Sequence, residues 1–272
     1  MKKTKPQGAN ELTKQEAFVK KHKQYHHRIS SCRIFIFLSF LVLWELAASA
    51  GWIDAFFFSS PSRVVRCLIE LMTEKSLMMH IGITLFETLL SFILVIVIGM
   101  GTATLLWYSA GVSEVLEPYL VVLNSLPKSA LAPLFIVWLG TGTPTIIVAG
   151  VSVALFGSII SLYTGFRQVD KEKITLIYTL GGSKKDAFGK VVLPASIPTI
   201  LSTMKVNIGL ALVGVVIGEF LAARRGLGYL IIYGTQVFQM HMVITSILLL
   251  CIIAMGLYLA IQWLEHYYKK HL

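Results

Sequence analysis

The sequence predicts an all-α protein that crosses a membrane about six times and carries one long charged loop between its apolar blocks. Three observations lead there. Of the 272 residues, 56% are hydrophobic and 14% are charged, whereas a soluble domain carries roughly 25% charged residues. The apolar residues come in continuous blocks rather than at amphipathic spacing. The blocks also lack the apolar–polar alternation of barrel strands, which leaves the helix as the backbone that satisfies its own hydrogen bonds in lipid.

Six blocks meet the requirement of about 20 mostly apolar residues for a crossing. They are residues 34–50, 84–107, 119–139, 144–163, 197–222 and 242–264, within a membrane domain spanning 34–264. Residues 1–33 are polar and basic without an apolar stripe, and read as a mobile tail. Ala48-Ser49-Ala50 has the composition of a signal-peptidase site, but the polar tail and long apolar run ahead of it favour an uncleaved anchor. Lysine and arginine placement sets the orientation. With the N-terminus inside, the tail, 108–118, 164–196 and 265–272 hold seventeen of the 24 basic residues. The outer segments hold Arg63, Arg66, Lys75, Arg224 and Arg225. Both termini and the 164–196 loop are therefore expected in the cytoplasm. The net charge of +10 sits beside apolar blocks, which favours lipid contacts over nucleic acid. Cys32, Cys67 and Cys251, like the histidines, show no ligand spacing, so neither a metal site nor a disulfide is expected.

Within the loop, helical signals run from Asp170 to Leu180 and stop at Gly181-Gly182. Ser183 followed by Asp186 is a capping-box pattern that opens a second helix. That helix is expected to end near Val192, before Pro194. Ala187, Phe188 and Val191 would form its apolar face, with Lys184, Lys185 and Lys190 solvated. Such an element suits a knob docking into a partner's groove. It equally suits a basic helix resting on anionic lipid.

Ionisable residues at membrane depth are functional candidates by default. Lys205, Gly209, Leu212, Val216 and Glu219 recur at four-three spacing on one helical face, and Asn207 lies in the same stretch. Glu219 either lines or gates a pathway, or anchors the outer interface beside Arg224 or Arg225. Gly214 and Gly218 form a small-xxx-small pair on another face, suited to close helix packing. Pro127 and Pro133 flank Lys128 and predict a kinked or broken span of the kind that lines transport routes. Snorkelling to the inner interface is the alternative for Lys128. Glu45, in the outer third of the first span, reads as a structural polar contact.

At this point the motifs resemble a family. GGSKKDAFGKVVLPASIP, residues 181–198, is similar to the loop of bacterial ABC-importer permeases in the branch serving nitrate, aliphatic sulfonate, taurine and thiamine-precursor uptake. That loop reads Glu-Ala-Ala, three residues, Gly, nine residues, Ile, one residue, Leu-Pro. Gly181, nine intervening residues, Val191 and Leu193-Pro194 keep its spacing. Thr175, Leu176 and Ile177 stand where the acidic triplet belongs, with Glu172 one turn upstream. SLPKSALAPLFIVWLGTG, residues 125–142, resembles the family's Pro-x-x-Ala-x-x-Pro-Leu span with its Trp-x-Gly end. VVIGEFLAARRGLGYLI, residues 215–231, resembles its Glu followed by Gly-Leu-Gly-Tyr, and SSPSRVV from Ser59 the segment before its second span. The likeness covers 44–264. Glu87 departs from it, standing where a basic residue is expected, as does Ser91 where glycine is usual.

The resemblance implies a non-catalytic permease subunit of the bacterial inner membrane, with 164–196 as a coupling-helix loop onto which a separate ATPase docks. Thr175, Gly181, Gly182, Ser183, Asp186, Ala187, Phe188, Val191, Leu193 and Pro194 would form that docking loop. Pro127, Lys128, Pro133, Lys205, Asn207 and Glu219 are the pathway or gating candidates. The chain has no Gly-x-x-x-x-Gly-Lys-Ser/Thr loop, so ATP would be bound by the partner and this chain would carry no cofactor. Two ATPase copies, a permease homodimer around one pathway, and an extracellular solute-binding protein or lipoprotein would complete the importer. Arg63, Arg66, Arg224 and Arg225 on the outer side point to an anionic solute. A reading of a different class is a proton-coupled secondary transporter titrating Glu87 or Glu219. The absence of visible inverted repeats argues against that.

Overall fold

The computed structural model describes residues 8–74 and 76–270. Residues 1–7 of the expected tail, the outer Lys75, and residues 271–272 lie outside it. Every regular element among the described residues is helical, and the chain divides into two units at Val65.

The first unit contains α1 (Gly8–Ser49), α2 (Ala55–Phe58) and the start of α3 (Pro61–Thr73). Where a tail was expected, one helix runs from Gly8 through the first apolar block. No glycine or proline interrupts the chain between Gly8 and Gly51, and lysine, glutamine, glutamate and alanine sustain a helix well. The helix ends before Gly51, whose φ of 73° suits a residue without a Cβ. Glu45 is a structural contact within this unit. Its two carboxylate oxygens accept from the Ser62 N–H (2.9 Å) and the Ser62 hydroxyl (2.8 Å), while Arg63 donates to the Ala55 carbonyl. These bonds tie the SSPSR segment to the end of α1.

The second unit is built on α4 (Ser76–Tyr108), α7 (Thr143–Arg167) and α10 (Leu193–Ala222), with α5 (Ala110–Ser125), α6 (Lys128–Leu139), α8 (Lys171–Thr179), α9 (Lys184–Ala187), α11 (Leu227–Gln236) and α12 (Met240–Lys270) around them. The largest helix contact is α7 against α10, followed by α4 against α7. Small residues explain this closeness. A Cβ on Gly214 would lie 2.8 Å from the Ala149 carbonyl oxygen and from the Gly150 Cα, and one on Gly218 would lie 2.9 Å from the Ile146 Cα. Gly150 in turn leaves no room between Ser91 of α4 and Val215 of α10. In lipid, where apolar burial between helices is not the driving force, such backbone approach supplies the dispersion contact. The Asn207 side-chain amide adds a buried hydrogen bond to the Ser158 hydroxyl across the same α7–α10 seam (2.8 Å).

Two expectations change. The third crossing was expected as a kinked or broken span over 119–139, and it is broken, but it starts earlier. Helix α5 begins at Ala110, capped by the Ser109 hydroxyl, and meets α6 at a bend of 95°. Among the described residues, five helices are long and apolar enough to cross alone, and a sixth crossing exists only if this bent pair counts as one. The loop's second helix was expected to stop before Pro194. It continues instead through a π-helical turn, Phe188–Val192, into α10. The Leu193 N–H bonds five residues back to the Phe188 carbonyl. That wider turn relieves the clash a proline ring makes with the carbonyl four residues behind it.

Candidate functional site

The loop between α7 and α10 is a rigid turn fastened to its own bundle. Helix α8 starts with Asp170 accepting from the Glu172 N–H (2.9 Å). It ends at Gly181, which has φ of 81° and open space around the position of a Cβ. Gly182 is confined differently, since a Cβ there would lie 2.9 Å from the Ile177 carbonyl oxygen. Helix α9 opens with a full capping box. The Asp186 N–H donates to the Ser183 hydroxyl oxygen, and the Ser183 N–H donates to the Asp186 carboxylate (3.0 Å). Lys190 sits one turn on, 3.0 Å from the same carboxylate. The Ser183 hydroxyl first, then Lys190, hold the Asp186 carboxyl well below the usual range.

Several loop residues turn inward. Ala187 is fully buried, and the Phe188 ring packs on Trp107, Tyr108 and Phe166 with centroids 5.1–5.5 Å away. Phe188 therefore anchors the loop to the ends of α4 and α7. Lys184, expected to be solvated, donates to the Tyr108 carbonyl (2.9 Å) and lies over the Trp107 ring. This satisfies a carbonyl in the last turn of α4, which lacks an intrahelical partner. What remains outward is an apolar set on α8 and its end: Leu176, Tyr178 and Leu180, the last 76% exposed. Thr175, Gly181, Ser183 and Pro194 are also exposed, while Val191 and Leu193 are half-buried.

A second polar cluster lies where α4 meets the α10–α11 turn. Glu219 is 1% exposed. One of its oxygens accepts from the Thr84 hydroxyl (2.6 Å) and the other from the Gly228 N–H (2.6 Å). The Thr84 oxygen in turn accepts from the Leu227 N–H (2.9 Å), and His80 Nδ1 accepts from the Gly226 N–H (2.9 Å). The His80 ring stacks on Tyr229. A Cβ on Gly226 would collide with the Glu219 carboxylate, and one on Gly228 would lie 2.7 Å from its Oε2. The Gly-Leu-Gly-Tyr motif is thus a turn stapled onto a buried carboxylate. The donors to Glu219 are Thr84 and Gly228, and among the described residues neither Arg224 nor Arg225 forms an ion pair with it.

The remaining candidates sit apart. Lys128 folds back from the start of α6 onto the carbonyls of Asn124 and Leu126 (2.9 Å each) and of Leu123. It caps α5 at the break, with Pro133 one turn on inside α6. Lys205 forms an ion pair with Glu265 of α12, and Asn207 lies in the α7–α10 seam. His80, Thr84, Ser158 and Glu265 were not singled out from sequence. The signal for the first two was present, because His80, Thr84, Glu87 and Ser91 recur at i, i+4, i+7 and i+11 on one face of an otherwise apolar helix.

A membrane-spanning bundle that presents a stiffened aqueous turn at one end has the layout of a transport subunit worked by another protein. The comparisons agree. Residues 95–272 match the family described as binding-protein-dependent transport system inner membrane component. A probable ABC transporter permease protein of Haemophilus influenzae is 33% identical over 83% of this chain and 91% of its own length. The formylaminopyrimidine transport permease protein ThiX of Halalkalibacterium halodurans is 29% identical over 71% of this chain and 76% of its own length. A chain of the inward-facing MetNI methionine ABC transporter shares the fold, with a TM-score of 0.62 at 20% identity, over 69% of this chain and 94% of that one. The protein belongs to the binding-protein-dependent ABC importer permeases, inner-membrane subunits that work with an ATPase and a binding protein.

Proposed function

We propose that this permease forms the translocation pathway for a small solute, with an anion such as an aliphatic sulfonate, taurine or nitrate, or a thiamine precursor, as cargo. The observation that carries the coupling part of this reading is the turn between α8 and α9. Its inner side is bolted to α4 and α7 through Phe188 and Lys184, which leaves Leu176, Tyr178 and Leu180 free for another protein. A partner that moves this turn moves the bundle with it. ATP hydrolysis takes place on two copies of that partner, and this chain itself has no catalytic role and holds no cofactor. Two copies of the chain surround one pathway, and both termini and the 164–196 loop face the cytoplasm. The names of relatives that carry formylaminopyrimidine, aliphatic sulfonates or taurine support the solute class.

Co-expression with its ATPase and binding protein in vesicles tests this. Uptake of one of these solutes is expected to be ATP-dependent, stopped by vanadate and indifferent to an uncoupler. The second reading, a proton-coupled carrier, draws on the buried Glu87 and Glu219. It predicts the reverse pattern: collapse with the uncoupler and persistence with vanadate.

A further inference from the structure

The break between α5 and α6 lies deep in the crossing. Asn124 reaches α7 at Gly157, where an added Cβ would lie 3.3 Å from the Asn124 Oδ1, and Lys128 Nζ is 5.6 Å from the centre of the Phe156 ring. At 1.5 Å per residue, Phe156 stands about 20 Å along α7 from Thr143 and about 16 Å from Arg167. That is well inside a hydrocarbon core about 30 Å thick. Between the two helices, Leu126 and Pro127 are non-helical and exposed. Non-helical backbone at such depth persists only where protein covers it or water reaches it. Lipid is therefore not the neighbour of this break.

The side chains decide between protein and water. Lys128 gives its three N–H groups to the carbonyls of Leu123, Asn124 and Leu126, and it has no part in the ion pairs found among the described residues. Its charge is thus fixed in place without a counter-ion. Asn124 and Ser129 are exposed, and neither side chain has a hydrogen-bond partner among the described residues. Ser125, by contrast, spends its hydroxyl hydrogen on the Val121 carbonyl (2.9 Å). A second copy seated on the break about a two-fold axis would set one Lys128 against the other, and two like charges repel strongly away from water. Water, with an anion passing through it, satisfies the backbone, the free donors and the charge together. We propose that the α5–α6 break forms part of the wall of the translocation pathway, where the Asn124 amide and the Ser129 hydroxyl donate to an anionic solute beside the Lys128 charge. The proposal rests on the reading that this chain forms a pathway for an anion. Lys128 attracts the solute without bonding to it, because none of its N–H groups is left to donate.

The test uses single cysteines in a full chain whose Cys32, Cys67 and Cys251 are replaced by alanine, purified with its ATPase in lipid nanodiscs, where reagents reach both faces. Two membrane-impermeant thiol reagents of similar size are the probes: anionic 2-sulfonatoethyl methanethiosulfonate and its cationic trimethylammonium counterpart. Asn124→Cys and Ser129→Cys are expected to react with both. Relative to the rates for free 2-mercaptoethanol, the sulfonate should be favoured by about tenfold. Ile252→Cys, at an exposed apolar position on α12, should stay unlabelled. Adding Lys128→Gln should remove the preference for the anion, and Lys128→Arg, which keeps the charge, should retain it. Should Lys128→Gln not assemble, the preference in the lysine background decides alone. The proposal is overturned if neither cysteine reacts faster than Ile252→Cys, or if the sulfonate is not favoured. It is also overturned if Asn124→Cys links two copies by a disulfide and escapes both reagents, which would make the break a contact between copies. Labelling needs no transport, so failure of the pathway reading itself shows separately, as absence of ATP-dependent uptake by the cysteine-free chain in vesicles.

Discussion

Replacing Gly181 separates backbone strain from contact loss at the loop. Its φ of 81° lies in the left-handed region, and a Cβ there meets nothing within 4 Å. Any effect of a side chain at this position is therefore conformational. Forcing a β-branched residue into that region costs about 1–3 kcal/mol, whereas asparagine tolerates it at little cost. If the strain is relieved by remodelling the turn, Gly181→Val lowers the population of the docking-competent loop by roughly fivefold to more than a hundredfold. Gly181→Asn should change it little. The assay is the amount of ATPase retained by the solubilised, tagged permease, alongside the melting temperature of the permease alone. Gly181→Val is expected to lose the ATPase and uptake while melting close to wild type, because the packing of α4, α7 and α10 does not depend on this turn. Equal ATPase retention by the Val and Asn variants would refute the argument that this backbone geometry governs docking.

Other outcomes follow from the same contacts. Gly228→Ala places a Cβ 2.7 Å from Glu219 Oε2 and should destabilise the purified chain by about 2–4 kcal/mol through overpacking and a weakened charge-assisted hydrogen bond, read as a lower melting temperature. Lys205→Met leaves the shielded Glu265 without its lysine and should cost about 2–3 kcal/mol, most of it recovered in the Lys205→Met, Glu265→Gln double variant. Asp186 has a depressed folded-state pKa, so its stabilisation of the cap is present above the unfolded value and is lost only as pH falls through the folded one. Asp186→Asn should therefore weaken ATPase retention by the same factor at about pH 6 and about pH 8, and a pH-dependent difference would count against the capping account.

What was legible in the sequence was whatever depends on local pattern. Blocks of crossing length, the glycine break and the Ser183–Asp186 cap are set by neighbours in the chain, and each appears as a helix, a positive φ or a capping box. The partners of Glu219 were not legible, because one of its donors is the Gly228 N–H and the other, Thr84, is itself held by the Leu227 N–H, and backbone donors leave no residue-type signature. Lys128 hid its capping role for the same reason, since its acceptors are carbonyls. Phe188 was recognisable as apolar, but an amphipathic face does not say whether the chain or a partner covers it. The π turn before Pro194 depends on which carbonyl each N–H selects, and neither composition nor spacing reports that.

The unbroken helical rod from Lys184 to Ala222 has a mechanical consequence. Its 39 residues make a lever roughly 58 Å long. Its tightest bearing is at Gly214, where it rests on the backbone of α7. About 45 Å of the lever lies on the loop side of that bearing and about 12 Å on the Glu219 side, a ratio of nearly four to one. A displacement of about 4 Å at the loop is thus geared down to about 1 Å at the far end. At Glu219, about 7.5 Å beyond the bearing, the stroke is about 0.7 Å, which stretches the 2.6 Å Thr84 and Gly228 hydrogen bonds to about 3.3 Å and weakens both without severing either.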